Sequence, residues 1–490
     1  MKEIKLKVNL YKDKTLQEAL SAEGVETGGT CNGTGTCGKC RVKANGKEVL
    51  ACQYRITEDV TVLVEDGHED AGVKTATLHL PEGFTADEAE ADTYGVAIDL
   101  GTTTVVVMLW NLAEAKLVDV EAISNPQRFY GADVMSRIGF VQRAPWNLKR
   151  LQSSLINEVN RTISKLLMKH NLKLGQVRRI AVVGNTAMSH FFLGEDVAGL
   201  ASWPFTQAFT GSVTTTARAM GLAGHEEAEV YVGPNMAGHV GSDITAGILA
   251  AGYMEEASVG NRLFFDIGTN GEIVLTSKVK SYCCSTAAGP AFEGGALHHG
   301  MRAAEGAIYK VKLSDGKAEI ETVGGAVAKG ICGSGIIDAL AVMKESGVMD
   351  HFGTIDKPFV LAEGDGETDA IEVVQQDVRE IQMAKAAIAA GSQMLLEAAG
   401  LTLEDIDEIG IAGAFGNAID LESAKAIGLL PKTESSKTHS LGNSAGLGAS
   451  MMLLSGKCRE KAEHIVASVE HVELAALPAF QMRYIEEMNF

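Results

Sequence analysis

The chain opens on alternating charged and apolar positions, MKEIKLKVNL, and this period of two predicts a β-strand. Thr15-Leu-Gln-Glu18 has the form of a capping box opening a short helix, with Gly24 as its end. Arg41–Ala44, then Asn45-Gly46, then 47–51 predict a hairpin with a type I′ turn, and the β-branched run Val60–Val64 predicts a further strand. Residues 65–93 are acidic and carry Pro81 and Gly83, the mark of a first domain ending near Pro81 and passing into a linker. From Tyr94 the pattern changes. Apolar β-branched runs (GVAIDLG, VVVML, RIAVVGN, RLFFDIG, EIVLT, EIGIAG) alternate with helical stretches that include 148–170, 244–253 and 383–399, which is α/β patterning.

Composition narrows the classes. A length of 490 residues implies two or three domains, and 46% hydrophobic residues is ordinary for a globular chain. Glycine is abundant (54) and proline scarce (9), so glycine marks tight backbone positions rather than a disordered linker. The formal net charge is −20, and no cluster of Lys and Arg offers the counterion release that nucleic-acid binding needs, so nucleic acid is set aside. No apolar run approaches the roughly 18 residues of a membrane span, and the first ten residues read as a strand rather than a signal peptide, so a cytoplasmic location is expected. In that reducing compartment, eight cysteines point to metal binding before disulfides.

Four of them form a pattern: Cys31-x5-Cys37-x2-Cys40-x11-Cys52, within GGTCNGTGTCGKC. Plant-type [2Fe–2S] ferredoxins use C-x4-C-x2-C and a distant fourth cysteine; the first gap here is one residue longer. A loop wrapped on an anionic cluster must turn its N–H groups inward, and Gly28, Gly29, Gly33, Gly35 and Gly38 permit the positive φ this requires. The alternative is a structural zinc site, which typically uses paired C-x2-4-C knuckles, of which only one is present.

The larger part contains an internal echo. AIDLGTTT (97–104) and FDIGTNG (265–271) both end a strand in Asp-x-Gly-Thr, about 170 residues apart, so the body is read as two duplicated halves. Such a turn exposes N–H and hydroxyl donors to a phosphate while its aspartate faces a hydrated Mg²⁺. Two of them would clamp a triphosphate from both sides. Further loops follow in order: residues 233–243 entering a helix, IAGAFG (411–416) after a strand, and NSAGLG (443–448) opening a helix.

In that order these loops resemble the superfamily of acetate and sugar kinases, heat-shock chaperone ATPases and actin. A plant-type-like ferredoxin part fused to such a body resembles the reductive activators of corrinoid proteins, as do NPQRFYGADVMSRI (125–138), VVGNTAMSH (182–190), AAGPAFEGG (287–295) and GICGSGIID (330–338). The resemblance implies a multidomain α/β and α+β chain: a β-grasp [2Fe–2S] ferredoxin-like domain over 1–82, a linker over 83–93, and a two-lobed actin-like ATPase domain over 94–490, with lobes at roughly 94–255 and 256–490. The linker is too short for the extra domain that fuller members carry between the parts.

The implied activity is ATP-dependent reductive activation. One low-potential electron passes from a [2Fe–2S] cluster to Co(II) of a corrinoid protein, regenerating Co(I) for methyl transfer. Carried over residue by residue, Cys31, Cys37, Cys40 and Cys52 hold the cluster. Asp99 and Asp266 face Mg²⁺ and the phosphates of ATP. Gly101, Thr102 and Thr103 hold one side of the phosphates, and Gly268, Thr269 and Asn270 the other. Asp243 orients the attacking water, and Gly413, Ala414 and Gly416 line the adenosine pocket. The implied partners are a corrinoid protein of a methyltransferase system, a low-potential electron donor and a second copy of the chain through the ATPase domain. Three alternatives stay open: a redox-sensing ATP-binding regulator, a small-molecule kinase with an accessory cluster, and an activator of a different low-potential enzyme such as a radical dehydratase, against which the N-terminal domain argues. Cys283-Cys284, Cys332 and the run Met451-Met452-Leu-Leu are read as core, Cys458 has no partner in sequence, and His298-His299 is read as a loop pair.

Overall fold

A computed structural model of the chain describes residues 2–23, 25, 35, 40–64, 78–255, 260–314, 317–364, 369–416 and 418–490. The N-terminal part is a small four-stranded antiparallel sheet. Strands β1 (Lys2–Leu6), β2 (Arg41–Ala44), β3 (Lys47–Leu50) and β4 (Val60–Val64) lie in the order β1-β4-β2-β3. The helix Leu16–Ala22 closes one face through Leu16 and Leu20, packed with Leu6, Ile56 and Val62. Its capping box forms as expected: the Thr15 N–H donates to Glu18 Oε2 at 2.7 Å and the Glu18 N–H to Thr15 Oγ1 at 3.2 Å. Asn45 (φ 47°) and Gly46 (φ 78°) make the type I′ turn. The opening alternation stops sooner than predicted. Val8–Tyr11 is a single helical turn, because Asp59 Oδ1 accepts from the Val8 N–H at 2.9 Å and its other oxygen meets Lys7 Nζ at 2.7 Å. Among the described residues one strand, and no hairpin, therefore precedes the helix. Gly24 lies outside the described residues.

Residues 83–93 have no regular structure, yet they are strapped to the body. Phe84, Ala86 and Ala89 pack against the core, the Asp87 N–H donates to Leu454 O at 2.8 Å, and the Gly456 N–H donates to Asp87 Oδ2 at 2.8 Å.

The duplication read from the sequence is visible in the sheets. The first half contains β5 (Tyr94–Leu100), β6 (Thr104–Asn111), β7 (Lys116–Ser124), β8 (Val177–Gly184), β9 (Val213–Thr216) and β10 (Glu229–Val232), ordered β7-β6-β5-β8-β10-β9. The second half starts with β11 (Arg262–Ile267), β12 (Gly271–Thr276) and β13 (Ser281–Thr286). A ribbon of β14 (Ala307–Ser314), β15 (Lys317–Thr322) and β16 (Gly330–Ile331), then the pair β17 (Phe359–Ala362) and β18 (Ile371–Val373), are inserted there. The sheet is completed by β19 (Glu408–Ala412), β20 (Thr438–Gly442) and β21 (Val469–His471), in the order β20-β19-β11-β12-β13-β21. In each half an antiparallel meander of three strands is extended by two parallel strands beside its first member. Asp99 and Asp266 end the equivalent strands.

The helix Gln375–Ala399 starts eight residues before the predicted 383. Its first two turns, QQDVREIQ, are polar enough to hide the period, but Val378 and Ile381 face the core and Asp377 Oδ2 caps the Val374 N–H at 3.0 Å. The helices Ser242–Ala251 and Ser444–Leu454 cross between the two sheets, where a Cβ on Gly448 would sit 2.1 Å from Ala246 O. Met451, Met452, Leu453 and Leu454 are all buried. Cys283 and Cys284 are neighbours on β13 and so face opposite layers, each buried in a different cluster, which makes them core residues. Cys332 is buried with its thiol toward Ile308 O at 3.3 Å, and Cys458 is buried. His298 and His299 stack edge to face at the surface.

Candidate functional site

The facing strand ends gather carboxylates. Asp99 on β5, Asp266 on β11 and Asp243 in the first turn of the helix Ser242–Ala251 converge in the cleft between the halves, and Glu272 on β12 joins them. Glu272 was not singled out in the sequence, although register could have revealed it. In the hairpin β11–β12, Asp266 and Glu272 are Cα partners, whereas Asp99 in the first half faces Val106. Like charges directly opposite each other in a ladder destabilise it.

Among the described residues, none of the four carboxylates has a Lys, Arg or His within ion-pair distance. Burial, reinforced by Asp266, pushes Asp99 up to about 7 against one hydrogen bond from Asn443. Burial, then Asp266 and Asp99, raise Asp243 to about 8 in spite of its place at a helix N-terminus. Burial raises Asp266 to about 6 and, with Asp243 and Asp266 beside it, lifts Glu272 well above the carboxylate range. A partly buried cluster of acids without a counter-charge suits a cation. Among the described residues no three His, Cys, Asp or Glu side chains are gathered tightly enough to ligate a metal directly.

The first Asp-x-Gly-Thr turn is held from behind. Asn125 Nδ2 donates to Gly101 O at 2.9 Å, the buried Arg137 donates through Nη2 to Thr102 O at 2.6 Å, and the Asn125 N–H donates to Thr103 O at 2.8 Å. Peptide planarity then turns the N–H groups of Thr102 and Thr103 away from those anchors. A Cβ on Gly101 would lie 2.3 Å from Thr104 O, so only glycine fits. In the second turn the Gly268 N–H donates to Asn270 O at 2.9 Å, and Asn270 hydrogen-bonds Glu272.

Glu293 joins the two turns. Thr103 Oγ1 donates to Glu293 Oε2 at 3.0 Å and Thr269 Oγ1 donates to Glu293 Oε1. Asn125, Arg137 and Glu293 all lie in phrases quoted above, but nothing in their spacing ties them to the turns.

The third loop divides. Gly413 has φ +84°, and a Cβ there would stand 2.5 Å from Asp266 Oδ1, which places it at the site. Gly416 is buried against Ile411, where a Cβ would be 2.8 Å from Cγ2, so it serves packing. The side chain of Ala414 lies outside what is described.

In the small domain, Cys40 and Cys52 are buried with their sulfurs 3.3 Å apart. A disulfide would be ~2.05 Å. The two sulfurs are therefore in contact without a disulfide. Gln53 Nε2 lies 3.9 Å from Cys52 Sγ, and Gly35 (φ +80°) packs on Gln53. Cys31 and Cys37 lie outside the described residues.

The comparisons agree with this architecture. The family model described as the C-terminal domain of RACo, the ASKHA domain, matches residues 260–490, and the RACo middle region matches 94–256. The corrinoid activation enzyme RamQ of Eubacterium limosum is 30% identical over 580 aligned positions, covering 99% of this chain and 97% of the relative. The chain belongs to the reductive activators of corrinoid proteins. Because that alignment exceeds 490 positions, this other member carries residues that the present chain lacks. A second member, the [Co(II) methylated amine-specific corrinoid protein] reductase of Methanosarcina barkeri, is 28% identical over 434 positions, with 81% of this chain and 77% of the relative covered. The solved structure of a reductive activator for a corrinoid, iron-sulfur protein superposes with a TM-score of 0.75 at 30% identity, covering 99% of this chain and 96% of that one. The fold class expected from the sequence, an actin-like ATPase body in a multidomain α/β chain, is the one found.

Proposed function

We propose that this chain reductively activates a corrinoid protein, using ATP bound between its duplicated halves to drive one electron from a [2Fe–2S] cluster to Co(II). The observation that carries the reading is the carboxylate cluster at two facing Asp-x-Gly-Thr turns, within a chain aligned over 99% of its length to a corrinoid activation enzyme.

The carboxylate cluster and the two anchored turns support the following roles. Asp99, Asp266 and Glu272 hold hydrated Mg²⁺. The N–H groups of Thr102 and Thr103, with Gly101, take one side of the phosphates, and Gly268, Thr269 and Asn270 the other. Asp243, at the helix N-terminus and with its pKa near 8, takes a proton from the attacking water. Gly413 lets the nucleotide approach Asp266. Cys31, Cys37, Cys40 and Cys52 hold the cluster, which supplies one low-potential electron when bound, near about −400 mV for plant-type centres. Each ~59 mV uphill costs a factor of ten for one electron, so a lower-potential Co(II) needs help. The helices Ser242–Ala251 and Ser444–Leu454, in backbone contact at Gly448, are the joint about which the halves close on ATP. Closure alters how the corrinoid protein is held and raises the cobalt potential. The proposal includes a separate electron donor, a homodimer through the large domain and the domain limits 1–82, 83–93 and 94–490. No helix among the described residues is long and apolar enough to cross a membrane.

Anaerobic reconstitution tests this. The expected result is a rhombic [2Fe–2S] EPR signal upon reduction, and ATP hydrolysis that rises when a corrinoid protein is added. A colourless zinc protein, or phosphate transferred to a metabolite, would refute it.

A further inference from the structure

Away from the carboxylate site, a cavity of about 500 Å³ lies between the helices Gly333–Glu345 and Gln375–Ala399, the loop after Leu421–Ala426, and the last residues of the chain. Its size is that of a small-molecule pocket. Three lysines line it: Lys344, Lys385 and Lys432. Lys385 is 1% exposed, Lys344 is half-buried and Lys432 stands at the mouth. Lys385 Nζ donates to Asn489 O and lies 4.9 Å from the Phe490 ring centroid; Lys344 Nζ donates to Ala426 O at 2.6 Å. Among the described residues, none of the three has a carboxylate within ion-pair distance. Glu487 is the one acidic side chain in the lining, and it accepts from Gln393 Nε2. One oxygen of Phe490 accepts from His351 Nδ1 at 2.7 Å. Leu396, Leu403, Leu430 and Pro431 supply an apolar stretch of the wall, and Ser392 and Gln393 add polar groups beside it.

Burying a cation beside two others, with Glu487 as the one acidic side chain in the lining to offset them, is unfavourable. Burial, and then Lys344 and Lys432 against the partial help of Glu487, hold Lys385 down to about 8, and Lys344 is lowered by burial and by Lys432. An anion placed among the three would relieve both the burial and the repulsion.

We propose that this cavity is a binding site for a small organic anion. Its carboxylate or phosphate group would sit among Lys344, Lys385 and Lys432, and a short apolar body would lie on Leu396, Leu403 and Leu430. The site is separate from the nucleotide cleft and independent of the function proposed above.

The test is calorimetric titration of the full-length protein at pH 7, saturated with ADP and Mg²⁺ so that the cleft is filled. The probes are phenyl phosphate, hexanoate, inorganic phosphate and benzyl alcohol. Phenyl phosphate and hexanoate are expected to bind, the better of the two identifying the headgroup; inorganic phosphate should bind more weakly and benzyl alcohol not at all. K344A and K432A change no fully buried side chain, and each is expected to weaken the better probe by about tenfold, the value of one lost charge-assisted hydrogen bond. K385M should abolish binding if it folds, which its melting curve reports. The inference is overturned if neither organic anion binds, if benzyl alcohol binds as well as they do, or if K344A and K432A leave the affinity unchanged.

Discussion

Thr103 Oγ1 lies 3.0 Å from Glu293 Oε2 across 190 positions of sequence, and Glu293 also accepts from Thr269, so one carboxylate spans both phosphate turns. Glu293 occupies the hydroxyls that a phosphate would use, and its charge opposes an anion at that place. Glu293→Gln keeps the shape and removes the charge. It is expected to tighten ADP and ATP binding by about tenfold, which corresponds to about 1.4 kcal/mol, as read by calorimetry with Mg²⁺ present. Weaker binding would show that Glu293 supports the nucleotide rather than competing with it.

Asp243 is assigned to the attacking water and not to holding phosphate. Asp243→Asn should lower ATP turnover by roughly 10²–10³, within the range for losing a general base, with nucleotide affinity changed little. The same variant carries a stability signature. The folded-state pKa values of Asp99, Asp243 and Asp266 (about 7, 8 and 6) lie above the usual carboxylate value near 3.8, so the folded protein binds more protons than the unfolded chain between those limits. Metal-free stability should therefore fall as pH rises from about 4 to about 8. Asp243→Asn should flatten the upper part of that fall and raise the melting temperature at pH 8.5.

Mg²⁺ held by these carboxylates, as proposed, would displace the same protons. Its affinity, measured with ADP, is expected to weaken as pH drops from 8.5 to 6, by about tenfold per unit for each proton displaced. A pH-independent affinity would mean that the metal does not meet this cluster.

Gly413 takes φ +84° against Asp266. Gly413→Ala adds the left-handed penalty of roughly 1–2 kcal/mol and a methyl group 2.5 Å from Asp266 Oδ1. Nucleotide binding should weaken by about tenfold or more. The equivalent change at Gly139, where a Cβ meets nothing within 4 Å, should leave binding intact.

What could be read in the sequence, and what could not, follows from the range of the signals. Local ones held: the Thr15–Glu18 box, the Asn45-Gly46 turn and the strand ends at Asp99 and Asp266 depend on neighbours within a few residues. The opening strand is shorter than its alternation predicts because Asp59, far along the chain, pins Val8 into a helical turn. The start of Gln375–Ala399 is hidden in the sequence because Val378 and Ile381 are the only apolar residues of its first two turns, and two of the buried positions there, Asp377 and Gln382, are polar. Glu272 became visible only through hairpin register, and Glu293, Asn125 and Arg137 only when distant loops met. Gly416 shares a motif with Gly413, yet the backbone turns it toward Ile411.

The account depends on nucleotide occupancy controlling an uphill electron transfer, so the most direct measurement is the yield of Co(I). Protein bearing the reduced cluster is mixed anaerobically with a Co(II) corrinoid protein and the Co(I) absorbance is followed with ATP, with ADP and with no nucleotide. The account predicts a strong band with ATP and little without it, loss of the band in Cys40→Ser and Cys52→Ser, and retention of nucleotide binding in both variants. Equal Co(I) yields with and without ATP would contradict it.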